Sequence, residues 1–135
     1  MNTQGFPVLI ARLLLALMFL GAGIDKLTGL EGTAGYIASM GLPMPTLLAA
    51  AAGVVEVLGA LLLIVGWQAR WAALALAGFT VLATFIFHAF WSLPKDQQMM
   101  QQLMFMKNLS VIGGLLMVFA FGAGALSLDR RRAAA

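Results

Sequence analysis

Four long apolar runs, at about residues 8–24, 47–65, 71–91 and 103–121, alternate with stretches rich in glycine, proline or polar residues. Each is close to the roughly 20 residues that a helix rising 1.5 Å per residue needs to cross a hydrocarbon core of ~30 Å. The pattern predicts an all-α integral membrane fold, an antiparallel four-helix transmembrane bundle forming a single domain over residues 1–135. Residues 1–7 form a short polar lead-in in which Pro7 suits the opening of the first helix. Residues 25–45 carry Gly29, Gly32, Gly35, Gly41, Pro43 and Pro45 and are too interrupted to span. Within them, residues 33–40 predict a short interfacial helix with Tyr36 at headgroup level. The turn at residues 66–70 is tight, which makes the second and third spans antiparallel neighbours. Residues 92–102 (SLPKDQQMMQQ) read as a polar loop with room for a helical lead-in.

Composition strengthens the membrane reading. The chain has 135 residues, 62% hydrophobic and 10% charged, with a mean hydropathy of +0.98. Soluble domains carry about 25% charged and 45–50% apolar residues. No basic residue precedes the apolar core of the first run, since Arg12 lies inside it, so the run reads as a retained span and not a cleaved signal peptide. Arg12 is expected to snorkel to the headgroups.

The net charge of +3 is matched by Arg130, Arg131 and Arg132 in the basic tail at residues 129–135. Beside a membrane, such a cluster is a topology signal or an attraction to anionic lipid, not a nucleic-acid footprint. Four spans put both termini on one side together with Arg70 and the tail arginines, while Lys26 and Lys95 fall on the other. The positive-inside rule then places both termini in the cytoplasm.

The candidate chemistry is a set of polar groups inside apolar runs. Glu56 sits in the middle of the second run, where a charge costs roughly 2.5–3.5 kcal/mol on insertion scales, so it must face protein or water. Its face carries Ala52, Gly53, Gly59 and Ala60, all small enough to admit a neighbouring helix. Thr80, Thr84 and His88 recur every four residues and form one stripe on the third span. Phe87, Phe90 and Trp91 crowd its end like an interfacial aromatic belt. Asp25 and Lys26 close the first span, and Lys107 and Asn108 lie in the first turns of the fourth. Together these groups face the outer half of the bundle, and Glu56 is expected to pair with Lys107 or to hydrogen-bond to the His88 stripe.

Each group also has a purely structural reading. An intramembrane ion pair can lock helix register, His88 can bond a backbone carbonyl or a headgroup, and Asp25-Lys26 can be a solvated helix end. Thr80 and Thr84 can bond back to their own helix, and Met99, Met100, Met104 and Met106 suit flexible packing.

Several chemistries are excluded by residue type. The absence of cysteine removes disulfides, thiolate metal sites and dithiol redox chemistry within this chain. A single histidine rules out bis-histidine haem ligation and leaves zinc short of ligands, so no metal site is expected. Neither a phosphate-binding glycine loop nor a Gly-x-Ser-x-Gly elbow occurs. The Gly21-Ala22-Gly23 cluster reads as close helix packing.

The order of these pieces carries a resemblance. The stretch F-L-G-A-G-I-D-K-L-T-G-L-E-G-T-A-G-Y-I (Phe19 to Ile37) is followed by M-G-L-P (Met40 to Pro43) and the Glu56 helix. Gly66 and Arg70, F-H-x-F-W (Phe87 to Trp91), M-K-N-L (Met106 to Leu109), the Gly113-Gly114 pair and a closing G-x-x-x-L-S-L-D (Gly122 to Asp129) complete the set. Over nearly its whole length the chain resembles the DoxX family of small bacterial membrane proteins. The resemblance implies a four-helix fold in the bacterial inner membrane and an association with redox physiology. Some relatives look like subunits of a thiosulfate–quinone oxidoreductase, and others are tied to thiol and oxidative stress. The family pattern falls on Lys26, Glu56, Arg70, His88, Lys107 and Asn108 here, without assigning them roles.

Two readings follow. In the first, the chain is an accessory or quinone-interacting subunit of a membrane redox system. Lys107, Asn108 and His88 would donate to a bound quinone, Thr80, Thr84, Phe87 and Trp91 would line it, and Glu56 would handle protons. A redox partner protein would then supply a flavin, thiol or metal. In the second, the chain is a non-enzymatic scaffold or anchor, or a small proton-coupled transporter that self-associates through alanine and glycine faces.

Overall fold

The computed structural model describes residues 5–134 and turns each of the four apolar runs into a helix. The elements are α1 (Gly5–Thr28), α2 (Leu30–Ser39), α3 (Pro45–Val65), α4 (Ala69–Phe87), a single 3₁₀ turn (Phe90–Ser92), α5 (Lys95–Phe121) and α6 (Leu128–Ala133). Among the described residues, α1, α3, α4 with its 3₁₀ extension, and α5 are long and apolar enough to cross a membrane. Residues 1–4 of the expected lead-in and Ala135 of the tail lie outside the described residues.

Local chemistry explains most boundaries. Pro45 occupies the first turn of α3, where its missing N–H costs nothing. Gly66 ends the same helix at φ 67°, its N–H bonded to the Leu62 carbonyl, a left-handed cap that glycine adopts without strain. α2 begins three residues earlier than expected, at Leu30, and lies on α3 as the expected interfacial helix.

Two boundaries differ from expectation. The expected third span at 71–91 stops as an α-helix at Phe87, with the His88 N–H closing the last turn on the Thr84 carbonyl. The polar loop expected at 92–102 is confined to its first residues, and the helical lead-in for which it left room takes up the rest, as the start of α5 from Lys95 onward. Gln, Met and Lys are good helix formers, and Asp96 in the first turn favours that N-terminus electrostatically. Polarity alone suits a loop; a helix protruding from the apolar layer carries the same polarity.

Packing is pairwise. α1 lies most extensively on α3, and α4 on α5. Glycines set both approaches to α3. A Cβ on Gly53 would lie 2.7 Å from the Leu27 side chain, one on Gly23 would lie 2.8 Å from Val57, and one on Gly59 would lie 2.7 Å from Leu76. Towards the α3–α4 turn the bundle is closed by a core of Ala16, Phe19, Leu63, Leu76, Leu115 and the alanines Ala69, Ala72, Ala73 and Ala77. These small residues let four helices converge. Farther from the turn the helices separate.

The closed end is tied by polar contacts. Arg12, expected to snorkel to the headgroups, is 1% exposed. Its guanidinium donates from Nη1 to the Ala123 carbonyl and from Nη2 to the carbonyls of Leu126 (2.9 Å) and Ile64 (3.4 Å). The chain after α5 folds back over α1 and presents carbonyls that no helix satisfies, and Arg12 serves them from within the protein. The basic tail is partly the helix α6, whose N-cap Ser127 accepts from the Arg130 N–H. Asp129 in turn accepts the N–H groups of Gln68 (2.7 Å) and Ala69 (2.9 Å), capping α4 from a distant part of the chain.

Candidate functional site

Between the helix halves remote from the α3–α4 turn lies a cavity of about 740 Å³, with walls drawn from α1 to α5. That volume is in the range of small-molecule sites, roughly 300–1,000 Å³. At its base the Gly23–Gly53 approach brings α1 and α3 together, and the last turns of α1 carry Lys26 across to Glu56. Lys26 Nζ lies 2.9 Å from Glu56 Oε2 and donates a hydrogen bond to Oε1 at 3.2 Å. Glu56 is 5% exposed.

This pairing corrects the expectation of a Glu56–Lys107 pair or a bond to the His88 stripe. Helix adjacency is the reason. α1 packs directly on α3, whereas Lys107 lines the cavity from α5, a helix without extensive contact to α3.

His88 also bonds elsewhere, with Nδ1 2.7 Å from Gln101 Oε1, so it links the end of α4 to α5 while lining the cavity. The Thr80 and Thr84 hydroxyls bond back to the carbonyls of Leu76 (2.7 Å) and Thr80 (2.6 Å). Thr84 Oγ1 additionally accepts from Asn108 Nδ2 at 2.9 Å, joining α4 to α5 inside the membrane layer.

Of the ten residues proposed from sequence, eight line the cavity: Asp25, Lys26, Glu56, Thr80, Phe87, His88, Lys107 and Asn108. Thr84 and Trp91 do not. Thr84 is fully buried behind Asn108. Trp91, placed by the 3₁₀ turn, packs with Phe90 (centroids 5.3 Å), Phe105 (5.7 Å) and Phe85 (6.4 Å) in an aromatic cluster beside the cavity.

Three features were missed. α2 contributes Tyr36, whose ring lies 5.6 Å from Phe87 at the α2 end of the cavity; the short helix that carries it was legible in the sequence, its place in the cavity wall was not. Phe79 lines the wall, and Gln101 holds His88. The signal for Gln101 lies in the run of glutamines, and it shows only where the helical lead-in extends through that run.

Chemically, the cavity offers ammonium donors (Lys26, Lys107), a carboxamide (Asn108), an imidazole (His88) and carboxylates (Glu56, Asp25) beneath aromatic walls. No group of three metal-ligating side chains occurs among the described residues.

A family model described as DoxX matches residues 7–89. Two relatives are inner membrane proteins of Escherichia coli (strain K12), YphA and YqjF, each 39% identical to this chain. The similarity covers 92% and 91% of the chain and 89% of each relative. The Surfeit locus protein 4 homolog of Schizosaccharomyces pombe is 28% identical over 97% of the chain, which corresponds to 39% of that protein's length. No solved structure matches the chain. The family match spans Lys26, Glu56 and His88, whereas α5 with Lys107 and Asn108 lies beyond it.

Proposed function

Since the chain belongs to the DoxX family and carries four helices able to cross a membrane, we propose that it is a small inner-membrane subunit of a redox system. In this reading its cavity binds a quinone headgroup. The observation that carries it is the cavity itself, which gathers Lys107, Asn108 and His88 with the Lys26–Glu56 pair under aromatic walls. A quinone ring is planar and has two carbonyl acceptors. Lysine and asparagine donors suit the carbonyls, and Phe79, Phe87 and Tyr36 suit the ring faces.

Quinone reduction to quinol consumes two electrons and two protons. The electrons come from a partner protein bearing a flavin, thiol or metal centre, and the protons pass through the Glu56 carboxyl group and the Lys26 ammonium. Residues 1–135 act as one four-span domain, oriented with both termini in the cytoplasm. Arg70, which bonds the Ala120 carbonyl, and Arg130 to Arg132 of α6 gather at the end that this orientation places inside. The cavity then faces the outer half of the bilayer.

One observation favours a second reading. The Lys26–Glu56 pair stitches α1 to α3, which suits a scaffold, anchor or proton-coupled transporter with no bound quinone. Solvent extraction of the detergent-purified protein, followed by mass spectrometry, separates the two. Near-stoichiometric quinone in the wild type, lost in Glu56→Gln with helical content retained, is the expected result. Bulk lipid alone in both proteins overturns the quinone reading and leaves the scaffold.

A further inference from the structure

The cavity has three sides through which a ligand could pass, and they differ in chemistry. The outer end is covered by α2, where Tyr36 lies against Phe87. The side between α1 and α5 presents Asp25 and Lys107, which hydrocarbon avoids. The side between α3 and α4 presents only apolar groups: Leu48 and Ala52 from α3, Leu82 and Ile86 from α4.

Those two helices touch at Gly59, into which Leu76 packs. Beyond that junction Leu82 and Ile86 line the cavity and are 65% and 39% exposed. A side chain that borders the cavity and is also open to the surroundings marks an opening. Leu82 and Ile86, four residues apart, form one edge of it, and Leu48 and Ala52, also four apart, form the other.

We infer that the cavity opens sideways into the bilayer between α3 and α4, and that the bound molecule is a long-tailed amphiphile whose isoprenoid chain leaves through this window while its headgroup stays at the Lys26–Glu56 pair. This rests on the quinone reading above and adds the class of quinone, the route of entry and the residues that select for it. An all-apolar frame holds a tail by burying its methylenes, and a ligand dissolved in lipid then needs no path through water. Headgroup and tail are recognised by different residues, so the two can be separated by mutation.

The test uses the full chain in nanodiscs and two probes, a benzoquinone with a long polyisoprenoid tail and the same benzoquinone without a tail. Wild type is expected to bind the tailed form at least about tenfold more tightly. Leu82→Trp/Ile86→Trp, which narrows the window from positions already exposed, is expected to weaken tailed binding by about tenfold and to leave tailless binding unchanged. Val81→Trp, on an exposed α4 position that does not line the cavity (38% exposed), is expected to change neither.

Equal affinity of wild type for both probes overturns the tail path, because the tail then makes no contact. Equal weakening of both probes in the double variant, or no weakening, also overturns it, while the headgroup reading stands. Binding of neither probe by wild type overturns the headgroup reading and the tail path together. If the double variant does not elute as a folded protein, Leu82→Trp alone is read against the same outcomes.

Discussion

Lys26 and Glu56, 30 residues apart in sequence, meet with Nζ 2.9 Å from Oε2 at the base of the cavity. The pair gives the buried carboxylate a counter-charge on the neighbouring helix, while Lys107 lines the cavity from α5. Structure and proposed chemistry therefore share one contact, and mutations there must be read for both.

Lys26→Met removes the counter-charge of a buried group, and breaking such a pair costs roughly 3–5 kcal/mol. Because the Lys26 side chain is partly open to solvent, the lower end, about 3 kcal/mol, is expected. The Lys26→Met/Glu56→Met double variant is expected to recover part of this loss, with a coupling of about 1–3 kcal/mol. Lys107→Met should stay within about 0.5 kcal/mol of wild type. Denaturation of wild type, these three variants and the Glu56→Met single variant in mixed micelles measures all three quantities, and a Lys107 effect as large as that of Lys26 contradicts the assigned partner.

The Asn108–Thr84 bond joins α4 to α5. Interhelical hydrogen bonds in membranes contribute about 0.6 kcal/mol on average and up to about 2 kcal/mol. Thr84→Val keeps the shape and leaves the Asn108 amide one partner short, so a loss of about 1 kcal/mol is expected in the same denaturation assay. Asn108→Ala, which also opens the cavity wall, is expected to lose bound quinone as well.

At the opposite end, Arg12→Lys is expected to fail as a replacement. One ammonium cannot reach the carbonyls of Ala123, Leu126 and Ile64 in the fork geometry of a guanidinium. Carbonyls left buried without a donor cost about 1–3 kcal/mol each. Asp129→Ala, which uncaps α4, is expected to cost about 1 kcal/mol. Proteolysis after α5 provides a second readout, since both changes loosen the fold-back of the C-terminal segment.

Two pairs of glycine substitutions give opposite signs. Gly53→Ala and Gly59→Ala push a methyl group against Leu27 and Leu76, and overpacking of this kind costs roughly 1–3 kcal/mol. Gly21→Ala and Gly78→Ala meet nothing within 4 Å, so removing a helix-interior glycine is expected to be neutral or to stabilise by about 0.5–1 kcal/mol. Thermal melts in detergent distinguish the pairs, and a uniform response of all four contradicts the α1–α3 and α3–α4 approaches.

How far the sequence reaches is clearest at particular residues. Glu56 announced itself, because a carboxylate amid apolar residues must be accommodated. Gly53 and Gly59 announced a close approach, but not which helix makes it. Arg12 misled: a cation inside a span near its end has two solutions, headgroup or backbone carbonyls, and only the fold-back after α5 decides between them. Gln101 misled in the opposite way, since its polarity suited a loop and also an α5 extending beyond the apolar layer.

By itself the sequence determined the spans, their number and the short helix between the first two, because hydrophobic length against bilayer thickness is a one-dimensional property. It also determined which polar groups had to find partners. Only the tertiary structure decided who those partners are: Lys26 for Glu56, Gln101 for His88, Asn108 for Thr84. Helix adjacency and rotation are set by how small residues let backbones approach. That is a property of pairs of helices, and no single run of residues contains it.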